Sequence, residues 1–287
     1  MQILPNNKIS IKVIFEDEDI IIIDKPAGVP CLPLKDGETG TMANGVVARW
    51  GKIPPNPPLQ RGGIREHPPL GKGGRGGFDS EIGILHRLDN DTSGCLLVAK
   101  NIAAYQNLRA QFDEGKILKR YTALVLGETP REGVIETPII HDPKDKKKMK
   151  TFSLRTSPPV AGESRSDISI GSRLRSNNKL QSALTTYKLL RKYKAGQYSL
   201  LDVTIKTGVR HQIRVHLASI GHPIVGDKLY QNTRQRARDK TGLKRQFLHA
   251  SHLGFSHPGG VEWVEFESPL PPDLRNVLTK LEKMRNG

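Results

Sequence analysis

Residues 86–94 read His-Arg-Leu-Asp-Asn-Asp-Thr-Ser-Gly and carry the most information in this chain. The segment lies between the apolar pair Ile84-Leu85 and an apolar run that starts at Cys95. A polar segment at the edge of a strand is typical of a functional loop on a rigid scaffold. The same residue types also form ordinary turns, in which short polar side chains bond to their own backbone. Residue spacing alone leaves both interpretations open.

Strands and helices are predicted on both sides of this segment. Upstream, apolar runs at 12–15 and 20–23 flank an acidic tetrad, a pattern that indicates a β-hairpin. Downstream, Asn101 can cap a helix that ends at Gly115. The other predicted strands are 95–99, 118–126, 201–205 and 261–267, and the other predicted helices are 212–220 and 274–281. Many strands with a few interspersed helices favour a mixed α+β fold.

Two stretches have compositions that cannot bury a core. Residues 54–78 are rich in Pro and Gly and contain a repeat, PPLQRGG at 57–63 and PPLGKGG at 68–74. Residues 153–179 are rich in Ser, Arg and Asn. Both are predicted to be surface loops that interrupt a single domain over residues 8–284. The glycines at 71–76 fit a dinucleotide-binding pattern, but the match is accidental because neither the required strand nor the helix is predicted around it.

The composition favours a polyanionic partner. The chain has 287 residues, with 45 Lys and Arg against 29 Asp and Glu, and its formal net charge is +16. Such a surplus favours binding to nucleic acid, because each neutralised phosphate releases condensed counterions. Charge alone does not separate RNA from DNA or from an acidic membrane.

Several classes of protein are excluded by simple counts. Cys31 and Cys95 are the two cysteines, too few for a disulfide framework or a thiolate zinc site. The longest aliphatic run, at 20–23, is too short to span a bilayer, and residues 1–8 lack the features of a signal peptide. We therefore expect a soluble, cytoplasmic protein with no membrane partner.

The segment at 86–94 resembles the signature of the RluA-type pseudouridine synthases, His-Arg-Leu-Asp-x-x-Thr-Ser-Gly, and matches it at every fixed position. Other segments resemble the family in the same order: DKPAG at 24–28, KRYTALV at 119–125, HQIRVHL at 211–217, GHPIVGD at 221–227, LHA at 248–250 and F-x-HP at 255–258. The resemblance covers nearly the whole chain outside the two loops. It implies the pseudouridine synthase catalytic fold, a mixed, largely antiparallel central sheet with flanking helices and an RNA-binding cleft.

Three catalytic residues follow from this resemblance. Asp89 is expected to be the nucleophile, Arg214 the cation that pairs with it, and Tyr121 the aromatic residue that stacks on the target base. A guanidinium beside Asp89 would orient the carboxylate and keep it ionised. Judged from the residues alone, Arg214 is also compatible with a solvated helix residue or a phosphate contact, and Tyr121 with a half-buried strand residue.

The resemblance also implies a set of RNA-binding residues: His86, Arg87, Lys119 and Arg210. Arg87 is expected to help replace the extruded uridine in the RNA. One position departs from the family, whose usual Thr-Gly-Arg-Thr-His-Gln is Thr-Gly-Val-Arg-His-Gln at 207–212. The arginine therefore moves one place, to Arg210.

The implied function is isomerisation of a specific uridine to pseudouridine in ribosomal or transfer RNA. The target base must leave the stack to reach the nucleophile, so base flipping is expected. The reaction neither adds nor removes atoms overall, so no metal or cofactor is expected. The enzyme is expected to act as a monomer.

Two other functions are compatible with parts of the sequence. His249-x-x-His252 has a spacing that could ligate zinc in a metal-dependent hydrolase, although no third ligand stands at a recognised spacing. Activity that persists after chelation would exclude that class. A non-catalytic RNA-binding protein of the same fold is the second alternative, and substitution of Asp89 distinguishes it from an enzyme.

Overall fold

The computed structural model describes residues 3–52, 82–152 and 180–283. Over these ranges the strands are β1 Lys12–Glu16, β2 Ile20–Lys25, β3 Ser93–Ala99, β4 Leu118–Leu126, β5 Glu132–Glu136, β6 Ile139–His141, β7 Met149–Thr151, β8 Leu184–Tyr193, β9 Tyr198–Ile205, β10 Leu248–Ser256 and β11 Trp263–Glu267. The helices are α1 Met42–Trp50, α2 Ile102–Asp113, α3 Gln212–Ser219, α4 Thr233–Arg238 and α5 Pro272–Lys283. The chain divides into two compact units, Met1–Tyr121 with Leu248–Pro272, and Thr122–Phe247 with Asp273–Gly287.

The first unit is built on a mixed sheet. β1 pairs with β2 and β2 with β3, both antiparallel, while β3 pairs with β10 in parallel and β10 with β11 antiparallel. All four isoleucines of β2 are at most 1% exposed, since both faces of this strand are covered. Ala104 and Leu108 of α2 pack against Leu97 in the same apolar cluster. This core supports the segment from 86 to 92 at the start of β3.

The second unit contains two sets of antiparallel strands. β8 pairs with both β5 and β9, and β6 pairs with β7 in a short hairpin. Helix α3 packs against β7 and β8. A small apolar cluster joins the hairpin to α3, with Ile139, Met149, Ala183 and Val215 buried and Val209 and Tyr230 packed on them.

The predicted fold class is confirmed. Apart from the parallel β3–β10 pair, the strand pairs described above are antiparallel, and helices are interspersed among them. The hairpin near the N-terminus is present, and Asn101 caps α2 by accepting a hydrogen bond from Ala104 N. The predicted strand at 261–267 begins at Trp263, where its pairing with β10 begins, and Val261 before it is almost fully exposed.

The single domain over residues 8–284 stays a prediction. The two predicted loops, 54–78 and 153–179, lie outside the described residues. In the part of the chain that the structure describes, no helix is long and apolar enough to cross a membrane.

Candidate active site

The predicted nucleophile lies on a loop that ends where β3 begins. We call residues 86–92 the Asp89 loop. Its last turn is closed by Thr92 N, which donates to the carbonyl oxygen of Asp89 at 3.0 Å. Gly94 follows with φ +118°, and a Cβ built on it would lie 2.2 Å from the carbonyl oxygen of Ala250. Only glycine permits this approach, so it fixes the register in which β3 and β10 hold the loop.

Two residues, at the end of β2 and just after it, hold the Asp89 loop through its backbone. Gly28 N donates to the carbonyl oxygen of Asn90 at 2.9 Å, and Lys25 Nζ donates to the same oxygen at 3.1 Å. The Lys25 side chain is fully buried and also donates to Pro26 O at 2.8 Å. Because a buried ammonium requires such partners, Lys25 fixes the position of Asn90 and of the adjacent Asp89.

Cys31 supports the loop on the other side of the nucleophile. Its Sγ accepts from Leu88 N at 3.3 Å and donates to Leu88 O at 3.5 Å. The thiol is buried, and burial raises its pKa, so that it stays protonated and can donate. The backbone is thus fixed both before and after Asp89. This role of Cys31 could not be predicted from the sequence, because contacts between residues 57 positions apart leave no local pattern.

Tyr121 and Asp89 interact electrostatically. Tyr121 is in β4 and only 7% exposed, whereas Asp89 is half-buried. Burial is the main reason that the pKa of the Tyr121 hydroxyl lies above its ordinary value of 10.0, and the negative charge of Asp89 raises it further. The structure therefore brings two of the three predicted catalytic residues together and keeps the hydroxyl protonated near neutral pH.

A second polar chain fixes the start of β3. Ser93 Oγ lies 3.0 Å from His249 Nδ1, and His249 Nε2 lies 2.9 Å from the carbonyl oxygen of Ser268. Since a carbonyl can only accept, Nε2 carries the proton and Nδ1 accepts from Ser93. Ser268 Oγ in turn donates to Asp24 Oδ1 at 2.8 Å. These contacts give His249 a structural role in the sheet.

The geometry does not favour a zinc site at His249 and His252. Both ring nitrogens of His249 are used as described above, and His252 Nε2 lies 2.9 Å from Glu265 Oε2. Across residues 3–52, 82–152 and 180–283, no three His, Cys, Asp or Glu side chains are grouped as metal ligands.

Two predicted RNA-binding residues have other contacts in the first unit. His86 Nε2 accepts from Leu97 N at 3.0 Å, and its ring stacks on Phe112 with centroids 5.5 Å apart. Burial, together with the charge of Lys119, lowers the pKa of His86 to about 3. Lys119 is 8% exposed, and burial lowers its pKa to about 8. His86 is therefore neutral near pH 7 and supports the loop, whereas Arg87 next to it is exposed.

Arg214, the third predicted catalytic residue, lies in the second unit. Its Nε and Nη2 donate to Asp227 Oδ2 and Oδ1 at 2.8 and 2.9 Å, a bidentate ion pair in which both residues are buried. The guanidinium carbon lies 5.2 Å from the centroid of the Tyr230 ring. Burial of Arg214 contradicts the alternative that it is a solvated helix residue. Its pairing with Asp89 stays a prediction.

Tyr230 contacts both Arg214 and His211, the residue that precedes α3. The Tyr230 hydroxyl accepts from Met149 N at 2.9 Å and lies 2.9 Å from Nδ1 of His211, the residue that precedes α3. His211 has φ 56°, a left-handed conformation. Arg210, also predicted to bind RNA, is exposed, and its Nη2 donates to the carbonyl oxygen of Lys147 at 3.3 Å.

Known proteins with similar sequences and structures were compared with this chain. The model of a family described as RNA pseudouridylate synthase matches residues 19–219. An uncharacterized RNA pseudouridine synthase of Chloroflexus aurantiacus is 38% identical over 259 residues, which are 90% of this chain and 66% of the relative. The ribosomal large subunit pseudouridine synthase D of Neisseria meningitidis is 32% identical over 278 residues, 95% of this chain and 61% of the relative.

The chain thus spans about two thirds of the length of these relatives. Among solved structures, human RNA pseudouridylate synthase domain containing 1 superposes with a TM-score of 0.62 at 23% identity, covering 97% of this chain and 95% of the human chain. At that identity the likeness concerns the fold.

Proposed function

Because this chain belongs to the RNA pseudouridylate synthase family, we propose that it isomerises a specific uridine to pseudouridine in ribosomal RNA, with Asp89 as its nucleophile. The observation that carries the proposal is the environment of Asp89. Hydrogen bonds from Cys31 and Lys25 fix the backbone on either side of this residue. Its negative charge contributes to the raised pKa of the buried Tyr121 hydroxyl. A half-buried carboxylate on a fixed loop suits a nucleophile.

The reaction needs few chemical groups. The bond between N1 of uracil and C1′ of ribose breaks, the base turns, and C5 of the base bonds to C1′. C5 loses a proton and N1 gains one, so that product and substrate are isomers. The site must supply a nucleophile, a path for that proton and a pocket that retains the detached uracil.

Each residue has a distinct role in this proposal. The Asp89 carboxylate attacks the nucleoside, and Tyr121 stacks on the base with its neutral hydroxyl available for proton transfer. Arg214 is the cation that the family resemblance pairs with Asp89. Its bidentate contact with Asp227 uses the Nε–Nη2 edge of the guanidinium and fixes the plane of the group.

RNA is the expected partner because the base must be flipped from its stack before any side chain reaches it. The exposed Arg87, on the Asp89 loop, is the residue we expect to replace the extruded uridine. The formal charge of +16 supports binding of the phosphate backbone. The names of relatives such as the Neisseria protein favour ribosomal over transfer RNA. We further propose that the protein acts in the cytoplasm as a monomer.

Pseudouridine mapping tests this proposal directly. Total RNA is compared between cells with and without the gene, and the deleted strain is complemented with wild type or Asp89→Asn. We expect loss of pseudouridine at one or a few large-subunit ribosomal positions, restored by wild type alone. Loss confined to transfer RNA would change the substrate, and an unchanged map would refute the function.

A further inference from the structure

The β6–β7 hairpin, residues 139–151, is a basic element with exposed lysines that the reaction chemistry does not use. We call it the basic hairpin. It contains five lysines against two aspartates, Lys144, Lys146, Lys147, Lys148, Lys150, Asp142 and Asp145. We infer that this hairpin, together with Arg210, binds the phosphate backbone of the RNA substrate. The inference rests on the proposed function, because it takes RNA as the polyanion.

The two aspartates organise the tip of the basic hairpin. Asp142 Oδ1 accepts from Lys144 N, and Asp145 Oδ1 accepts from Lys147 N, both at 2.9 Å. Their carboxylates thus cap the backbone of the turns. The side chains of Lys144, Lys146 and Lys147 are exposed. A polyanion approaching the tip meets cations on a turn whose conformation is already fixed.

The base of the basic hairpin is firmly attached to the second unit. Met149 is 2% exposed and packs with Val215 of α3, and its backbone N donates to the Tyr230 hydroxyl at 2.9 Å. Arg210 Nη2 donates to Lys147 O at 3.3 Å, which places a further cation against the lysine-rich turn. A run of lysines on a flexible tail would have no such attachment.

Tyr230 connects the basic hairpin to Arg214. The same tyrosine bonds the backbone of Met149 through its hydroxyl and carries the Arg214 guanidinium over its ring at 5.2 Å. Tyr230 therefore contacts both the basic hairpin and Arg214. An RNA strand bound at the hairpin would be held in a fixed position relative to Arg214. Phosphate contacts of this kind set the register of a nucleic acid without reading its sequence.

Paired substitutions test the inference by the salt dependence of RNA binding. The test variant is Lys146→Ala with Lys147→Ala, and Lys146→Arg with Lys147→Arg keeps the charge. The matched control, Lys188→Ala with Lys192→Ala, removes two charges from β8, where Lys192 pairs with Glu128 and Lys188 lies opposite Glu132. Dissociation constants for an unmodified large-subunit ribosomal RNA transcript are measured from 50 to 200 mM salt.

We expect the alanine variant of the basic hairpin to bind about tenfold more weakly, with a log–log salt slope shallower by roughly 1.4 to 1.8, since each lost phosphate contact removes about 0.7 to 0.9. The arginine variant and the β8 control should match wild type. An unchanged slope in the hairpin variant, or an equal change in the control, overturns the inference. Absence of pseudouridine formation by wild type would instead reject the proposed function.

Discussion

Tyr121 illustrates how burial keeps a side-chain hydroxyl protonated, as the role proposed for this residue requires. Burial and the charge of Asp89 both raise the pKa of its hydroxyl above 10.0. Replacement by Phe keeps the ring for stacking and removes the proton donor. If the hydroxyl transfers a proton, Tyr121→Phe lowers the isomerisation rate by about 100-fold or more. Rates at saturating RNA check this, with Tyr187→Phe, at a buried tyrosine of β8, as the control.

The raised pKa of Tyr121 also predicts how the isomerisation rate depends on pH. Because its pKa is raised, Tyr121 stays protonated as the pH increases from 7 to 10.0, and its ionisation causes no loss of rate in that interval. An alkaline decline below pH 10.0 that disappears in Tyr121→Phe would show that the hydroxyl ionises more readily than its burial implies.

Arg214 depends on the shape of its guanidinium as well as on its charge. Lysine at this position keeps the charge but cannot make the bidentate contact with Asp227. We expect Arg214→Lys to lower turnover by about tenfold or more, because small displacements of catalytic groups have large effects. Arg245→Lys is the control, since Arg245 makes the same bidentate contact with Asp273 on the surface. Equal turnover of the two variants would deny Arg214 a part in catalysis.

The pairing of β3 with β10 depends on Gly94. An alanine Cβ there would overlap the backbone of Ala250, at a φ of +118° that L-residues rarely adopt. We expect Gly94→Ala to reduce the free energy of unfolding by about 3 kcal/mol or more. Gly115→Ala is the control, with a positive φ but open space around it, and should cost only about 1 kcal/mol. Similar stabilities, measured by urea unfolding, would argue against the close approach.

His86 links the stability of the first unit to pH. As the pH falls below 6.5 the unfolded state takes up a proton on His86, whereas the folded state stays neutral until about pH 3. This difference lowers the free energy of unfolding by up to about 2 kcal/mol between pH 6.5 and 5.

His86→Gln keeps an acceptor for Leu97 N but cannot titrate. The loss of stability between pH 6.5 and 5 should therefore be smaller in the variant than in wild type. Tryptophan fluorescence reports this unit, because Trp50 and Trp263 both lie in it. Equal losses in the two proteins would show that His86 takes up its proton while folded.

Elements with a clear apolar period were predictable from sequence, and the others were not. The pattern located α2 and β4 closely because apolar residues recur on one face. Helix α1 escaped, since it contains Asn44 and Gly45 and its start depends on reciprocal bonds between Thr41 and Asn44. Gly45 is required by packing, because a Cβ there would lie 2.9 Å from Ile9.

The residues proposed to react could be predicted from the sequence, but the residues that support them could not. Asp89 and Tyr121 follow from the family resemblance, and the structure brings them together in the first unit. The contacts of Lys25 and Cys31 with the Asp89 loop join residues 65 and 57 positions apart and leave no periodic signal. His86 was predicted to bind RNA, a role that stays a prediction beside its observed bond to Leu97 N.

The two units of the molecule carry different features. The first holds Asp89 on its loop and Tyr121 in β4, and the second holds Arg214 on α3 with the basic hairpin. In the function proposed here, binding of RNA depends on many cations, whereas the chemistry depends on the carboxylate of Asp89. Substitution of that carboxylate therefore separates an enzyme from a protein of the same fold that only binds RNA.

Release of tritium from C5 of labelled uridine in a large-subunit ribosomal RNA transcript is the most direct measurement. Wild type is compared with Asp89→Asn and with Asp91→Asn, which removes the neighbouring carboxylate of the same loop. We predict that Asp89→Asn lowers release by about a thousandfold or more, while Asp91→Asn and the RNA affinity of both variants stay close to wild type. Tritium release by Asp89→Asn at the rate of Asp91→Asn would contradict the assignment of the nucleophile.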